Sequence, residues 1–242
     1  MKTVHPLLDE KRLIAFDLDG TLIDSVPDLT AALARAFSDE GLTPPGPEAV
    51  SGWVGNGAQV LVERALGWAF DTPETTLNEA LKVRVYAAFL RYYGDVPHRL
   101  TRLYSGVAET LAGLARAGFV LVLITNKPER FIAPLLIHFA LDGYFSLCLG
   151  GDTLARKKPD PLPLEHAAAH FDVPASACVM VGDSRHDIAA GKAAGFATAA
   201  LTYGYNHGEP ISQSTPDALL DSLAGLLSTP VPPTASSTRT AR

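Results

Sequence analysis

Asp17-Leu18-Asp19-Gly20-Thr21 follows directly on the apolar run Leu13-Ile14-Ala15-Phe16. A short apolar run broken by an Asp-Gly turn predicts a buried strand. Two carboxylates are then expected at its carboxyl end, where open α/β sheets bind their ligands. Such acids are costly to bury unless a cation neutralises them, and a hard divalent metal fits that need. Three further segments carry polar chemistry in the same way. Phe119–Ile124 runs into Thr125-Asn126-Lys127-Pro128, where a hydroxyl and backbone N–H groups ahead of a helix can cradle a phosphate. Arg156-Lys157-Lys158-Pro159 supplies cations, and Val179-Met180-Val181 leads into Gly182-Asp183-Ser184-Arg185-His186-Asp187, with a second pair of acids. Alone, the hydroxyl reads as a helix cap and the basic run as solvated surface. In the order acid pair, hydroxyl, lysine, acid pair, they read as one site. His186 stays outside it, because hard cations prefer oxygen.

The elements that must position these groups are legible as a change of rhythm. Helices are predicted over Pro27–Ser38, Val60–Phe70 and Leu77–Tyr93, with no strand between Thr21 and Tyr104. From Gly106 onward helix and strand alternate. Val107–Ala117, Pro128–Ala140, Leu162–His170 and Ile188–Ala194 read as helices. Phe119–Ile124, Ser146–Leu149, Cys178–Val181 and Thr198–Leu201 read as strands, and Pro216–Leu227 as a last helix. Alternation of this kind argues for a parallel sheet with right-handed crossovers. The expected fold is α/β: a Rossmann-like, doubly wound parallel sheet with an inserted helical cap. Residues 1–23 and 105–228 form the discontinuous core and 24–104 the cap. Residues 229–242, rich in Pro, Ser and Thr, form a disordered tail.

Composition narrows the partners. Of 242 residues 47% are hydrophobic and 19% charged, which allows a substantial core. The net charge of −6 and the lack of a basic stripe argue against nucleic acid. They do not exclude an anionic ligand, since metal ions and backbone N–H groups supply local positive potential. No apolar stretch is long enough to span a bilayer, and the charged N-terminus lacks the apolar centre of a signal peptide. Cys148 and Cys178 lie in apolar runs and read as reduced, buried and structural, which places the chain in the cytoplasm. Oligomeric state is not readable.

The four polar segments resemble the four motifs of the haloacid dehalogenase-like superfamily of phosphotransferases, across roughly residues 12–203, and the helical insertion resembles its cap. Gly52-Trp53-Val54-Gly55-Asn56-Gly57, Arg91-Tyr92-Tyr93-Gly94, Lys158-Pro159 and Leu201-Thr202-Tyr203-Gly204-Tyr205-Asn206 are similar to bacterial phosphoglycolate phosphatases. His186 departs from that pattern, which has Asn there. The resemblance implies a small phosphorylated metabolite as substrate, Mg2+ as cofactor, and Asp17 as a nucleophile that forms an aspartyl-phosphate. Asp19 is then the acid–base residue. The metal ligands implied are Asp17, the Asp19 backbone carbonyl and Asp183, with Asp187 behind them. Thr125 and Asn126 hold phosphoryl oxygens, and Lys158 neutralises charge on Asp17 and the phosphate.

Gly55, Asn56 and Gly57 are expected to meet the rest of the substrate. Asn56 and Gln59 would form a capping box for a helix over Val60–Ala65, with Arg64 further along. Asp19 argues against a dehalogenase, and the absence of lysine between Arg12 and Lys82 against a phosphonate hydrolase that forms a Schiff base. A sugar phosphomutase keeps the same acids, and it or a phosphatase for another small phosphoester is the alternative activity. A non-catalytic binding module is disfavoured by intact acids at every motif.

Overall fold

A computed structural model describes residues 4–95 and 98–227. Strand β1 (Leu13–Phe16) is buried along its whole length. It pairs in parallel with β4 (Val120–Ile124) on one side and β6 (Cys178–Gly182) on the other. Strand β5 (Leu147–Leu149) lies outside β4, and β7 (Ala197–Leu201) and β8 (Ala218–Leu220) lie outside β6. The six-stranded order is β5-β4-β1-β6-β7-β8. The chain winds outward from β1 to β5 and then crosses back to β6, so the winding reverses at β1. The carboxyl edge of β1 is therefore the crevice that such sheets offer to ligands.

Period-two alternation assigns every strand residue to a face. Ile14, Phe16, Leu121, Leu123, Val179 and Val181 point to one side. There they pack on Leu111 and Leu114 of α5 (Val107–Arg116) and on Leu135 of α6 (Ile132–His138). Leu13, Ala15, Val122, Ile124, Cys178 and Met180 point to the other. Their partners are Leu164 and Ala167 of α7 (Leu162–His170) and Ala190 of α8 (Arg185–Ala193). A sheet covered on both faces reads as continuous apolar runs, which is why its strands stand out in the sequence.

Between Asp24 and Arg102 the described residues form four α-helices: α1 (Val26–Asp39), α2 (Pro47–Ser51), α3 (Ala58–Phe70) and α4 (Glu79–Asp95). They enclose their own core, built on Leu33, Phe37, Val50, Leu66, Val85 and Phe89. Asp28, in the first turn of α1, anchors the segment that returns from it. Its carboxylate accepts from the N–H and hydroxyl of Thr101 at 2.7 and 2.6 Å. Among the described residues, no helix is long and apolar enough to cross a membrane.

The structure corrects four expectations. First, the stretch from Thr21 to Tyr104 holds two strands, β2 (Ile23–Asp24) and β3 (Arg102–Leu103), paired antiparallel where the chain leaves and re-enters the core. Two residues are too few for alternation to register. Second, Pro216–Leu227 is not a helix. Ala218–Leu220 adds to β7 as an edge strand, and Leu223–Leu227 forms a 3-10 turn. The Asp217 carboxylate, accepting from the Thr198 N–H at 2.8 Å, draws this segment to the sheet. Third, Pro128–Ala140 splits into a 3-10 turn over Glu129–Phe131 and the short α6. Pro134 sits in the first turn of α6, since further inside a helix it would clash with the preceding turn. Fourth, a short helix, α2, lies between the first two predicted helices, where the sequence reading names no element. The reading of 229–242 lies outside the described residues. Both cysteines are free; Cys178 is buried and Cys148 only half-buried. Burial pushes each thiol up to about 11.

Candidate active site

Asp17 is the first residue beyond β1, and its N–H still bonds to the Val181 carbonyl at 3.0 Å. Its side chain is buried between β4 and β6, with Lys158 Nζ 2.9 Å from Oδ1. That ammonium also donates to the carboxylate of Asp187 at 2.6 Å and to the Ile124 carbonyl. Lys158 is therefore aligned with β4 and α8 rather than with Asp17, whose Oδ1 is buried without a hydrogen-bond partner.

Asp183 ends β6 as Asp17 ends β1. Thr21, from the first motif, donates its hydroxyl to Asp183 Oδ1 at 2.7 Å, and the Tyr205 N–H donates to Oδ2 at 2.8 Å. Two glycines make this approach possible. A Cβ on Gly20, whose φ is +87°, would come within 2.2 Å of Asp183 Oδ2, and one on Gly204 within 2.1 Å of its Cβ. Asp187 lies inside the first turn of α8, because that helix starts at Arg185 and not at the predicted Ile188. Ser184 and Asp187 form a capping box that starts the helix at Arg185. Asp187 Oδ2 accepts from the Ser184 N–H at 3.0 Å and its hydroxyl at 2.7 Å, while Oδ1 takes Lys158.

Ligand oxygens of Asp17, Asp183 and Asp187 lie within 4.8 Å of one another. Three carboxylates against one ammonium leave two uncompensated charges. Burial accordingly pushes the Asp17 carboxyl up to about 7, against the opposing pull of Lys158. Burial, with Asp187 and Asp17 nearby, drives Asp183 well above the usual carboxylate range. Burial alone would lower Lys158, but Asp17 and Asp187 lift it. An orphaned Asp17 oxygen, an all-oxygen donor set and a deficit of two charges fit a divalent cation. Both oxygens of Asp187 and both of Asp183 accept hydrogen bonds within the protein, so Asp17 is the carboxylate of the three with an oxygen left without one.

Above Asp17 lies a cavity between the core and the cap. Its floor is Asp17, Asp19, Thr125, Asn126 and Lys127, and its cap side includes Leu29, Val54, Leu61, Phe89 and Tyr93. Thr125 follows β4, and its hydroxyl accepts from the Lys127 N–H at 3.2 Å. Asn126 bridges core and cap, donating from Nδ2 to the carbonyls of Gly55 and Lys158, both at 2.9 Å. Of the expected cap residues, Gly55 and Gly57 line the cavity and Asn56 does not. The Asn56 amide instead meets His186 Nε2 at 2.8 Å. The expected capping box is absent. Gly57 is the N-cap of α3, without a side-chain cap bond, and Gln59 bonds to Glu63. A positive φ of 90° at Gly57 turns the chain too sharply for Asn56 to reach the helix N–H groups. Arg64 caps the Trp53 carbonyl at 3.1 Å and is not in the cavity wall.

Two cavity residues carry no role in the sequence reading. Lys127 pairs with Asp19 at 2.9 Å, and Tyr93 stands over it, the ammonium 4.7 Å from the ring centroid. Lys127 sits inside the Thr125–Pro128 segment and Tyr93 inside the Arg91–Gly94 segment, so the resemblance marks the place of both without giving either a role. His186 is half-buried, and burial beside His207 lowers it to about 4. Neutral and paired with Asn56, it belongs to the cap–core seam.

The haloacid dehalogenase-like hydrolase model matches residues 11–195. Phosphoglycolate phosphatase of Pseudomonas putida is 49% identical over 216 residues, covering 89% of this chain and 78% of that protein. The Vibrio parahaemolyticus phosphoglycolate phosphatase is 47% identical over 216 residues, covering 89% of this chain and 94% of its own. A crystal structure of a predicted phosphoglycolate phosphatase from Haemophilus somnus superposes with a TM-score of 0.85 at 40% identity, over 90% of this chain and 97% of that one. Both the motif acids and the sheet that carries them are accounted for by one conclusion: the chain belongs to the haloacid dehalogenase-like hydrolases.

Proposed function

We propose that this hydrolase is a Mg2+-dependent phosphomonoesterase that converts 2-phosphoglycolate to glycolate and phosphate. The observation that carries the chemistry is the position of Asp17. It lines the cavity between core and cap, with one oxygen that has no hydrogen bond, paired with a buried lysine and within reach of Asp183. Relatives at 47–49% identity named phosphoglycolate phosphatase support the substrate. The two free cysteines fit a reducing, cytoplasmic setting.

Asp17, as the carboxylate, attacks phosphorus and takes the phosphoryl group as an aspartyl-phosphate, while the ester oxygen leaves with a proton from Asp19. Asp19 then takes a proton from the water that hydrolyses the acyl-phosphate. Thr125 and Asn126 border the phosphoryl oxygens. Lys158 offsets their charge and that of Asp17, and Asp187 holds Lys158 in line. Mg2+ would be held by Asp17, the Asp19 carbonyl and Asp183, and would neutralise charge on the transferring group. Gly55 and Gly57 wall the organic end of the substrate, and residues 24–104 act as the cap that excludes bulk water.

Phosphate release from a panel of phosphomonoesters, with Mg2+ and with excess chelator, tests this reading. Phosphoglycolate should be the preferred substrate and chelation should abolish turnover. Full turnover in chelator sinks the metal assignment, and preference for a sugar phosphate sinks the substrate.

A further inference from the structure

The cavity holds a charge that handling the phosphate does not require. Lys158 already serves Asp17 and Asp187. Yet among the described residues Lys127 is the one cationic side chain lining the cavity. Its side chain is 3% exposed, and its ammonium lies 2.9 and 3.1 Å from the two oxygens of Asp19. Tyr93, also 3% exposed, stacks its ring above that ammonium. The Tyr93 hydroxyl is close enough to Lys127 for each to influence the other, but it makes no well-aligned hydrogen bond. Around them the wall is apolar, with Leu29, Leu61, Phe89 and Phe131.

In an apolar pocket a buried cation needs an anionic partner, and an anion entering the cavity can share it. In phosphoglycolate the carboxylate stands one methylene beyond the ester oxygen that Asp19 must reach. A cation touching Asp19 is therefore also next to that carboxylate.

We propose that Lys127, with the Tyr93 hydroxyl, is the specificity-determining pair that binds the substrate carboxylate. The inference rests on the reading of the chain as a phosphoglycolate phosphatase. Neutral-tailed phosphoesters lack a partner for this pair and have a lower kcat/KM.

The test compares phosphoglycolate with ethyl phosphate, which has the same carbon count and no carboxylate, in the wild type and in Lys127→Met, Lys127→Arg and Tyr93→Phe. Loss of a charge-assisted hydrogen bond should lower the ratio of the two kcat/KM values roughly 10- to 100-fold in Lys127→Met. Lys127→Arg should restore part of the ratio, and Tyr93→Phe should lower it less than Lys127→Met does. A ratio unchanged in Lys127→Met overturns the inference, since Lys127 would then serve Asp19 alone. Should that variant fail to fold by thermal melting, Tyr93→Phe decides, and an unchanged ratio there overturns it equally. A wild type that shows no preference for phosphoglycolate removes the substrate reading and the inference together. A wild-type preference that survives every substitution removes the inference alone.

Discussion

At the scale of single residues, Asp17 and Asp19 are separated by one position and by opposite surroundings. Asp17 is buried against Lys158, and Asp19 opens onto the cavity against Lys127. Their substitutions should therefore fail differently. Asp17→Asn removes the nucleophile, so mass spectrometry should find no phosphoenzyme; phosphate on that variant would refute the assignment. Asp19→Asn keeps the backbone carbonyl and removes the proton carrier, so turnover should fall roughly 10²–10⁴-fold with metal binding preserved. A loss of metal affinity in Asp19→Asn would show that its side chain is a ligand. The places of Asp17, Asp183 and Thr125 were legible in the sequence because each follows directly on a buried strand, while Lys158, in the loop beyond β5, was marked by its position before Pro159. Tyr93 lay in a segment that carries the resemblance, but its place in the cavity was not legible, because a buried aromatic at helical spacing looks the same whether it packs or faces a cavity.

At the scale of elements, the core strands were legible because burial on both faces forces an unbroken apolar run, as in Cys178–Gly182. The misread elements are those that tertiary contacts decide. Ala218–Leu220 is a strand because Asp217 and β7 hold it, and nothing within its own residues says so. The start of α3 was misread for the opposite reason, since Asn56 has the right type to be a cap but a glycine with positive φ lies in between. Gly57 is also where the cap meets the core. A Cβ there would stand 2.9 Å from the Asn126 carbonyl oxygen and 2.9 Å from Lys157 Nζ. The lysine can move; the backbone carbonyl, beside the phosphate cradle, cannot without shifting Asn126. Gly57→Val should therefore unseat the cap at this seam. With left-handed strain of about 1–3 kcal/mol added, kcat/KM should fall tenfold or more on every phosphoester. Wild-type rates in that variant would show that the seam is loose during turnover.

At the scale of the whole molecule, the acids gathered at the sheet edge tie stability to pH and metal together. In the metal-free chain the Asp17 carboxyl stands at about 7, above the roughly 3.9 of an unfolded Asp. Between those values the folded chain keeps a proton that the unfolded chain has released. The contribution is thus fully present below about pH 4 and is lost as pH rises through 7. Asp183 shifts in the same direction, so the metal-free site becomes a growing liability over this range. A divalent cation reverses the balance, because it binds the carboxylates that protons have left. At Mg2+ concentrations a hundredfold above Kd, binding adds about 2.7 kcal/mol, or roughly 5–10 °C in a chain of this length. The gap in Tm between Mg2+-loaded and chelated protein should therefore be small near pH 5, where protons occupy the site, and should widen to that size by pH 8. Thermal melts of the two forms across this range measure it directly. A gap that stays constant, or that closes as pH rises, would mean that the cation does not sit on Asp17 and Asp183.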